Sequence, residues 1–163
     1  MWLKVQGVRT VAQQRRPTAS SAAVSVFMSR MRRQDTGPEI ALRRALHHRG
    51  MRFRVHAANL PGRPDIVLVR VRLAIFVDGC FWHGCPDHGV MPKANRSFWS
   101  EKIAGNKLRD RRNDAALVEL GWSALHVWEH EDPEAVAARL ERLWRAAGQP
   151  GSGARQQSKA PGR

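Results

Sequence analysis

Apolar side chains at Ala41, Leu42, Ala45 and Leu46 return at the three- and four-residue spacing of one helical face. Thr36-Gly-Pro-Glu39 ahead of them predicts a capping box, with Thr36 accepting from the N3 amide and Glu39 reaching back, and Gly50 suits the stop. Met51, Phe53 and Val55 then alternate with Arg52, Arg54 and His56, the period of a strand with one wet face. After the turn Leu60-Pro-Gly-Arg-Pro64 come two short β-rich runs, 66–69 and 73–77. The second is apolar on both faces, which predicts a central strand. Ser97 is the expected cap of a helix reaching about Leu120, with Ile103, Leu108, Ala115 and Val118 inward and Gly121 ending it. A strand over 122–128 follows, then a helix opened by Pro133 with Val136, Leu140, Leu143 and Trp144 on one stripe. The order αβββαβα predicts an α/β domain.

The two ends break this pattern. Residues 1–24 mix Gln, Arg, Ser, Ala and Thr without a period and read as a flexible basic arm, and 149–163 read as a disordered tail, leaving 25–148 as the folded domain. No run approaches the about 18 to 20 apolar residues of a membrane span, and no apolar leader opens the chain, so a cytoplasmic protein is expected. The net charge of +14 points to a polyanion. Ten of those charges sit in residues 1–34 and 149–163, leaving +4 for 35–148. Within that core, Lys102, Lys107, Arg109, Arg111 and Arg112 concentrate charge on one segment, which favours nucleic acid as partner.

The chemistry gathers in Asp78-Gly-Cys-Phe-Trp-His-Gly-Cys-Pro-Asp-His88. Cys80, Cys85 and His88 offer three zinc ligands in one loop, bent by Gly84 and Pro86. The fourth must come from elsewhere; His130 qualifies because the strand before it can lie beside 73–77, and His83 competes with it. Four protein ligands make such a zinc structural. Asp65 opens one strand and Asp78 ends the next. If these strands are antiparallel neighbours, Asp65 and Val77 need not meet, but a bend or bulge brings them together. A hard Mg2+ takes one or two carboxylates plus waters and phosphate oxygens, although turn aspartates are common without one.

Leu60-Pro-Gly-Arg-Pro-Asp65, Ile75-Phe-Val-Asp-Gly-Cys-Phe-Trp-His83, Ser97-Phe-Trp-Ser-Glu-Lys-Ile103 and Asn106-Lys-Leu-Arg-Asp-Arg-Arg112 together resemble the very short patch repair (Vsr) endonucleases. Asp35-Thr-Gly-Pro-Glu39 and Leu120-Gly-Trp…Val-Trp-Glu129 fall in the same order, so the resemblance covers roughly residues 25–147. It implies a reduced PD-(D/E)xK nuclease fold: a central mixed sheet flanked by helices, with a structural zinc. The implied activity is nicking of one strand at a T·G mismatch left by deamination of 5-methylcytosine. The implied partners are double-stranded DNA, a cytosine-5 DNA methyltransferase by functional link, and mismatch-repair proteins. A monomer associated with the nucleoid is expected.

Carried over by position, Asp65 matches the family's metal-binding aspartate, and Val77 stands where a main-chain carbonyl is the second metal contact. His83 matches the catalytic histidine and Glu39 an acid near the hydrated metal, a role that competes with its capping box. Phe81, Trp82 and Trp99 match aromatics that wedge into the base stack at the mismatch. Three departures stand out. Asp78 replaces a basic or imidazole residue and becomes a candidate second metal ligand. The zinc set is Cys80, Cys85, His88 and His130, where other members use different mixtures, and the arm has no match. Two other readings compete: a restriction-type nuclease of the same fold cutting matched or methylated sites, and a zinc-stabilised DNA-binding module without catalysis.

Overall fold

The apolar run at the centre of the sequence is also the centre of the sheet. The computed structural model describes residues 34–147; the arm 1–24 and the tail 149–163 lie outside them. Helix α1 (Gly37–His48) leads to strand β1 (Arg54–Val55), β2 (Ile66–Leu68) and, after a 3-10 turn, β3 (Leu73–Asp78). A one-turn helix α2 (Cys80–His83) and the long α3 (Arg96–Glu119) precede β4 (Ser123–Trp128) and α4 (Pro133–Ala146). The sheet runs β1-β2-β3-β4. Its first two pairings are antiparallel, and β3 pairs with β4 in parallel, Leu73 opposite Ser123 through Asp78 opposite Trp128.

Strand alternation sends side chains to two cores. Ile66, Leu68, Leu73, Ile75 and Val127 meet Leu42 and Leu46 of α1 and Val136 and Leu140 of α4. On the opposite face, Val67 and Ala74 meet Leu60 and Leu117, with Phe76 and Trp122 packed alongside. The result is a single α/β domain, a mixed four-stranded sheet between α1 and α4 on one side and α3 on the other.

Several expectations are corrected here. The strand expected from Met51 shortens to Arg54–Val55, because its partner β2 offers only three residues; Met51 instead fills the core from a loop. Thr36 is the N-cap of α1, but its hydroxyl donates to Glu39 Oε1 (2.9 Å) instead of accepting an amide, and Glu39 Oε2 accepts from the Asp35 amide. Helix α3 begins at Arg96, preceded by Asn95 in the left-handed region, so Ser97 is not its cap. Its facing is also reversed. At 3.6 residues per turn, Leu108 and Ala115 lie opposite Asn106 and Leu117, the buried pair, Val118 stands about 100° from Leu117, and all three are exposed. Of the four residues expected inward, Ile103 alone turns in, its Cγ2 facing the position a Cβ at Gly84 would take. Leu143 of α4 is also exposed, at 54 %.

Candidate active site and metal centre

The first half of the site forms where β2 begins. Ile66 pairs with Ile75, yet the Asp65 amide also donates to the Ile75 carbonyl (3.0 Å). This one-residue offset carries the carboxylate along β3, where Asp65 Oδ2 accepts from the Val77 amide at 2.8 Å. The bend on which the contact depended is therefore present. The Ile75 carbonyl faces β2, whereas those of Arg72 and Asp78 accept from β4, so strand alternation turns the Val77 carbonyl to the side of Asp65. Burial pushes the Asp65 pKa up to about 6; Glu39 adds to the rise, and the Val77 amide, Arg43 and His56 oppose it.

Glu39 itself is 3 % exposed and fully engaged by the Thr36 hydroxyl, the Asp35 amide and Arg43 Nη2. Arg43 and His56 also bind Asp35, His56 at 3.0 Å from a left-handed backbone position. Sequence reading missed Asp35, Arg43 and His56, because their pairing needs α1 laid against the start of the β1–β2 connection.

The second half lies at the same end of β3, one residue further along. Asp78, 7 % exposed, binds His126 Nδ1 of β4 at 2.7 Å, and His126 Nε2 reaches Asp114 of α3 at 3.1 Å. The His126 ring stacks on Phe76, centroids 5.0 Å apart. His83 closes α2, and its Nδ1 lies 2.9 Å from Asp110 Oδ2 and 3.6 Å from Asp78 Oδ1. Asn106 Nδ2 donates to the Trp82 carbonyl (2.8 Å) and ties α2 to α3. Asn106, Asp110, Asp114 and His126 were not singled out in the sequence; the signal was the polar 106, 110, 114 spacing on one face of α3.

Hydrogen bonds to Asp78, the largest influence, and to Asp114 raise the His126 pKa from 6.5 to about 9, against the opposing effect of burial. The folded state then holds a proton that the unfolded chain gives up near pH 6.5. Its stabilisation is complete below that pH and is lost as pH rises through about 9. The ring is partly open to solvent, which screens the ion pairs, so the loss should be about 1–2 kcal/mol. Denaturant unfolding of the protein and of His126→Phe across pH 6 to 10 checks this: the variant should lack that step.

Just past the ends of β3 and β4 the metal-ligand candidates converge. One donor atom each from Cys80, Cys85, His88 and His130 lies within 4.8 Å of all the others. Cys80 Sγ stands 3.0 Å from His130 Nδ1, and Cys85 Sγ stands 3.9 Å from His130 Nδ1 and 4.0 Å from His88 Nδ1. Ligands of a tetrahedral zinc stand roughly 3.3–3.8 Å apart, given zinc–ligand bonds of about 2.0–2.3 Å, so this set fits. His83 is turned away to Asp110, which leaves the fourth position to His130. Burial, Cys85 and Glu129 push the Cys80 thiol up to about 11, so its thiolate needs a cation beside it. The loop admits no side chain at Gly89, where a Cβ would stand 2.4 Å from the Cys85 carbonyl oxygen.

The aromatics form a cluster of their own. Phe81 meets Trp82 and Trp99 edge-on at 5.1 and 5.2 Å, Trp82 lies 6.0 Å from Trp99, and Phe98, which sequence reading passed over, joins at 5.1 Å. All four are half-buried and belong to neither core. Lys102, Lys107, Arg109, Arg111 and Arg112 of α3 are exposed, as is Arg96 at its start. Helical spacing puts Lys102 and Arg109 on one flank of its inward face, Lys107 and Arg111 on the other, and Arg112 further out.

Comparison with known proteins supplies the context. The family model for DNA mismatch endonuclease Vsr matches residues 19–87. The type II nicking enzyme V.NaeI of Lentzea aerocolonigenes is 44 % identical over 133 residues, 78 % of this chain and 80 % of that one. V.XorIIP, a type II nicking enzyme of Xanthomonas oryzae pv. oryzae, is 46 % identical over 123 residues, 72 % of this chain and 88 % of its own. The DNA mismatch endonuclease Vsr of Escherichia coli K12 is 47 % identical over 97 residues, 59 % of this chain and 62 % of its own.

Proposed function

The chain belongs to the Vsr family of DNA mismatch endonucleases and is a DNA nicking endonuclease, and on that premise we propose that it nicks one strand at T·G mismatches with the help of Mg2+. The observation that supports this reading best is the pairing of chemistries along β3. The raised, half-buried carboxylate of Asp65 sits against Val77, and an imidazole oriented by a second carboxylate, His83 with Asp110, sits just past Asp78.

Each group has a part in hydrolysis. Asp65 and the Val77 carbonyl would hold Mg2+, which when bound supplies positive charge to the phosphoryl oxygens. The residues fit it: Asp65 is half-buried near a second acid, Glu39, and the Val77 amide engages only one of its two oxygens. His83, its Nδ1–H held by Asp110, keeps Nε2 to take a proton from the attacking water. Glu39 fixes the start of α1 beside Asp65. Asp78 is engaged by His126, so this reading leaves the Mg2+ to Asp65 and Val77. Cys80, Cys85, His88 and His130 would hold a structural Zn2+. The basic residues of α3 take phosphates, and Phe81, Trp82 and Trp99 enter the stack where a mismatch has already weakened it. A T·G pair of this origin requires a cytosine-5 methyltransferase acting on the same sites.

Nicking of paired T·G and C·G duplexes, with and without Mg2+, tests the reading; cleavage is expected only of T·G with Mg2+. Equal cleavage of C·G would transfer the protein to the restriction-type reading. Trp82→Ala sharpens the test. Its half-buried ring packs on other half-buried aromatics outside both cores, so the variant should fold and lose T·G nicking by about 1–3 kcal/mol of stacking, with binding to matched duplex unchanged. A ring in the core would instead cost about 3–5 kcal/mol of stability and lower both activities together.

A further inference from the structure

His126 lies outside every motif that led to the function, yet it is held more firmly than any other imidazole of the site. Both ring nitrogens face carboxylate oxygens, Asp78 at 2.7 Å and Asp114 at 3.1 Å. Ionised carboxylates only accept, so the ring satisfies both as a doubly protonated cation. Its neighbour Asp78 is nearly buried and has a second oxygen 3.6 Å from His83 Nδ1. His83 can donate that Nδ1–H to one carboxylate at a time, and Asp110 has it at 2.9 Å. Among the described residues, the one Lys or Arg near Asp110 is Arg109, at 3.8 Å. Two carboxylates therefore compete for one donor.

We propose that His126 is a positioning residue for the nicking reaction: its ion pair with Asp78 leaves the His83 Nδ1–H to Asp110 and thereby fixes the ring that handles the proton. Without the His126 cation, Asp78 is a buried carboxylate whose nearest remaining ring donor is His83, and the imidazole is drawn from Asp110 toward it. The pair also explains how an acid is tolerated at residue 78, where an imidazole or base was expected. The positive charge stands one strand over, on β4, which the parallel register lays beside β3. This inference rests on the reading of His83 as the proton-handling group.

A double-mutant cycle tests it. His126→Phe keeps an aromatic ring to stack on Phe76 and removes the charge. Single-turnover nicking should fall about 20-fold with DNA affinity unchanged, whereas in an Asp78→Asn background the same substitution should cost less than about threefold. The imidazole N–H proton resonance of His83, assigned by its loss in His83→Ala, should move in His126→Phe and return in the double variant. Equal loss in both backgrounds, no loss at all, or an unmoved resonance would overturn the proposal. Should His126→Phe fail to fold, His126→Gln replaces it under the same criteria. If the protein nicks none of the duplexes supplied, the proposed function is at fault, and the resonance decides the role of His126 by itself.

Discussion

Asp65→Asn should lower nicking by at least about three orders of magnitude while making the metal-free protein more stable at pH 7. Both effects come from one half-buried carboxylate. A group that supplies the protein's side-chain hold on a divalent ion is worth several kcal/mol in the reaction, and about 4 kcal/mol is a thousandfold. In the metal-free fold the same charge is a cost. The Asp65 pKa rises from 3.8 to about 6, so between these values the folded state holds a proton that the unfolded chain has lost, and stability falls as pH rises through the window. Above pH 6 the whole cost is present, about 2–3 kcal/mol, and asparagine removes it while its oxygen still accepts from the Val77 amide. Melting without metal at pH 5 and pH 7.5, beside nicking in Mg2+, decides the matter. Residual nicking above about one per cent would end the metal assignment, and a lower melting temperature at pH 7.5 would show Asp65 to be structural.

Cys80→Ser should abolish cooperative folding and bound zinc together. Structural zinc contributes about 10–16 kcal/mol of apparent binding energy, as much as the whole stability of a domain this size, about 5–15 kcal/mol. Cys80 carries more than a ligand atom, since its buried thiol faces His130 and its amide donates to Glu129 at 2.7 Å, joining α2 to the end of β4. Metal analysis and thermal unfolding of the purified wild type and variant check this. A zinc-free wild type that unfolds cooperatively would refute it.

The elements facing a core were legible in the sequence. β2, β3, β4, α1 and α4 follow their apolar periods, and the position of His130 beside Cys80 follows from placing β4 next to β3. Helix α3 was misread because half of its inner face covers a site. Asn106, Asp110 and Asp114 point in beside Leu117 to meet the Trp82 carbonyl, His83 and His126, and Leu108 and Val118 are left outside. A rule that turns apolar residues inward selects the opposite face of such a helix. Asp65 and three residues of the metal-ligand cluster, Cys80, Cys85 and His88, were singled out because each is announced by local spacing. His126 was not, because its partner is 48 residues away and only the register of a parallel pair brings them together.

The mixed sheet also dictates the order in which the site is assembled. Asp65 and Val77 are twelve residues apart across an antiparallel turn and can meet as soon as β2 and β3 pair. The contacts of Asp78 with His126 and of Cys80 with His130 span 48 and 50 residues, and a parallel partner must wait until α3 has crossed over the sheet. Loop closure over such distances is slow, so the half of the site built on Asp65 and Val77 forms early and the half built on Asp78 and His126 forms last.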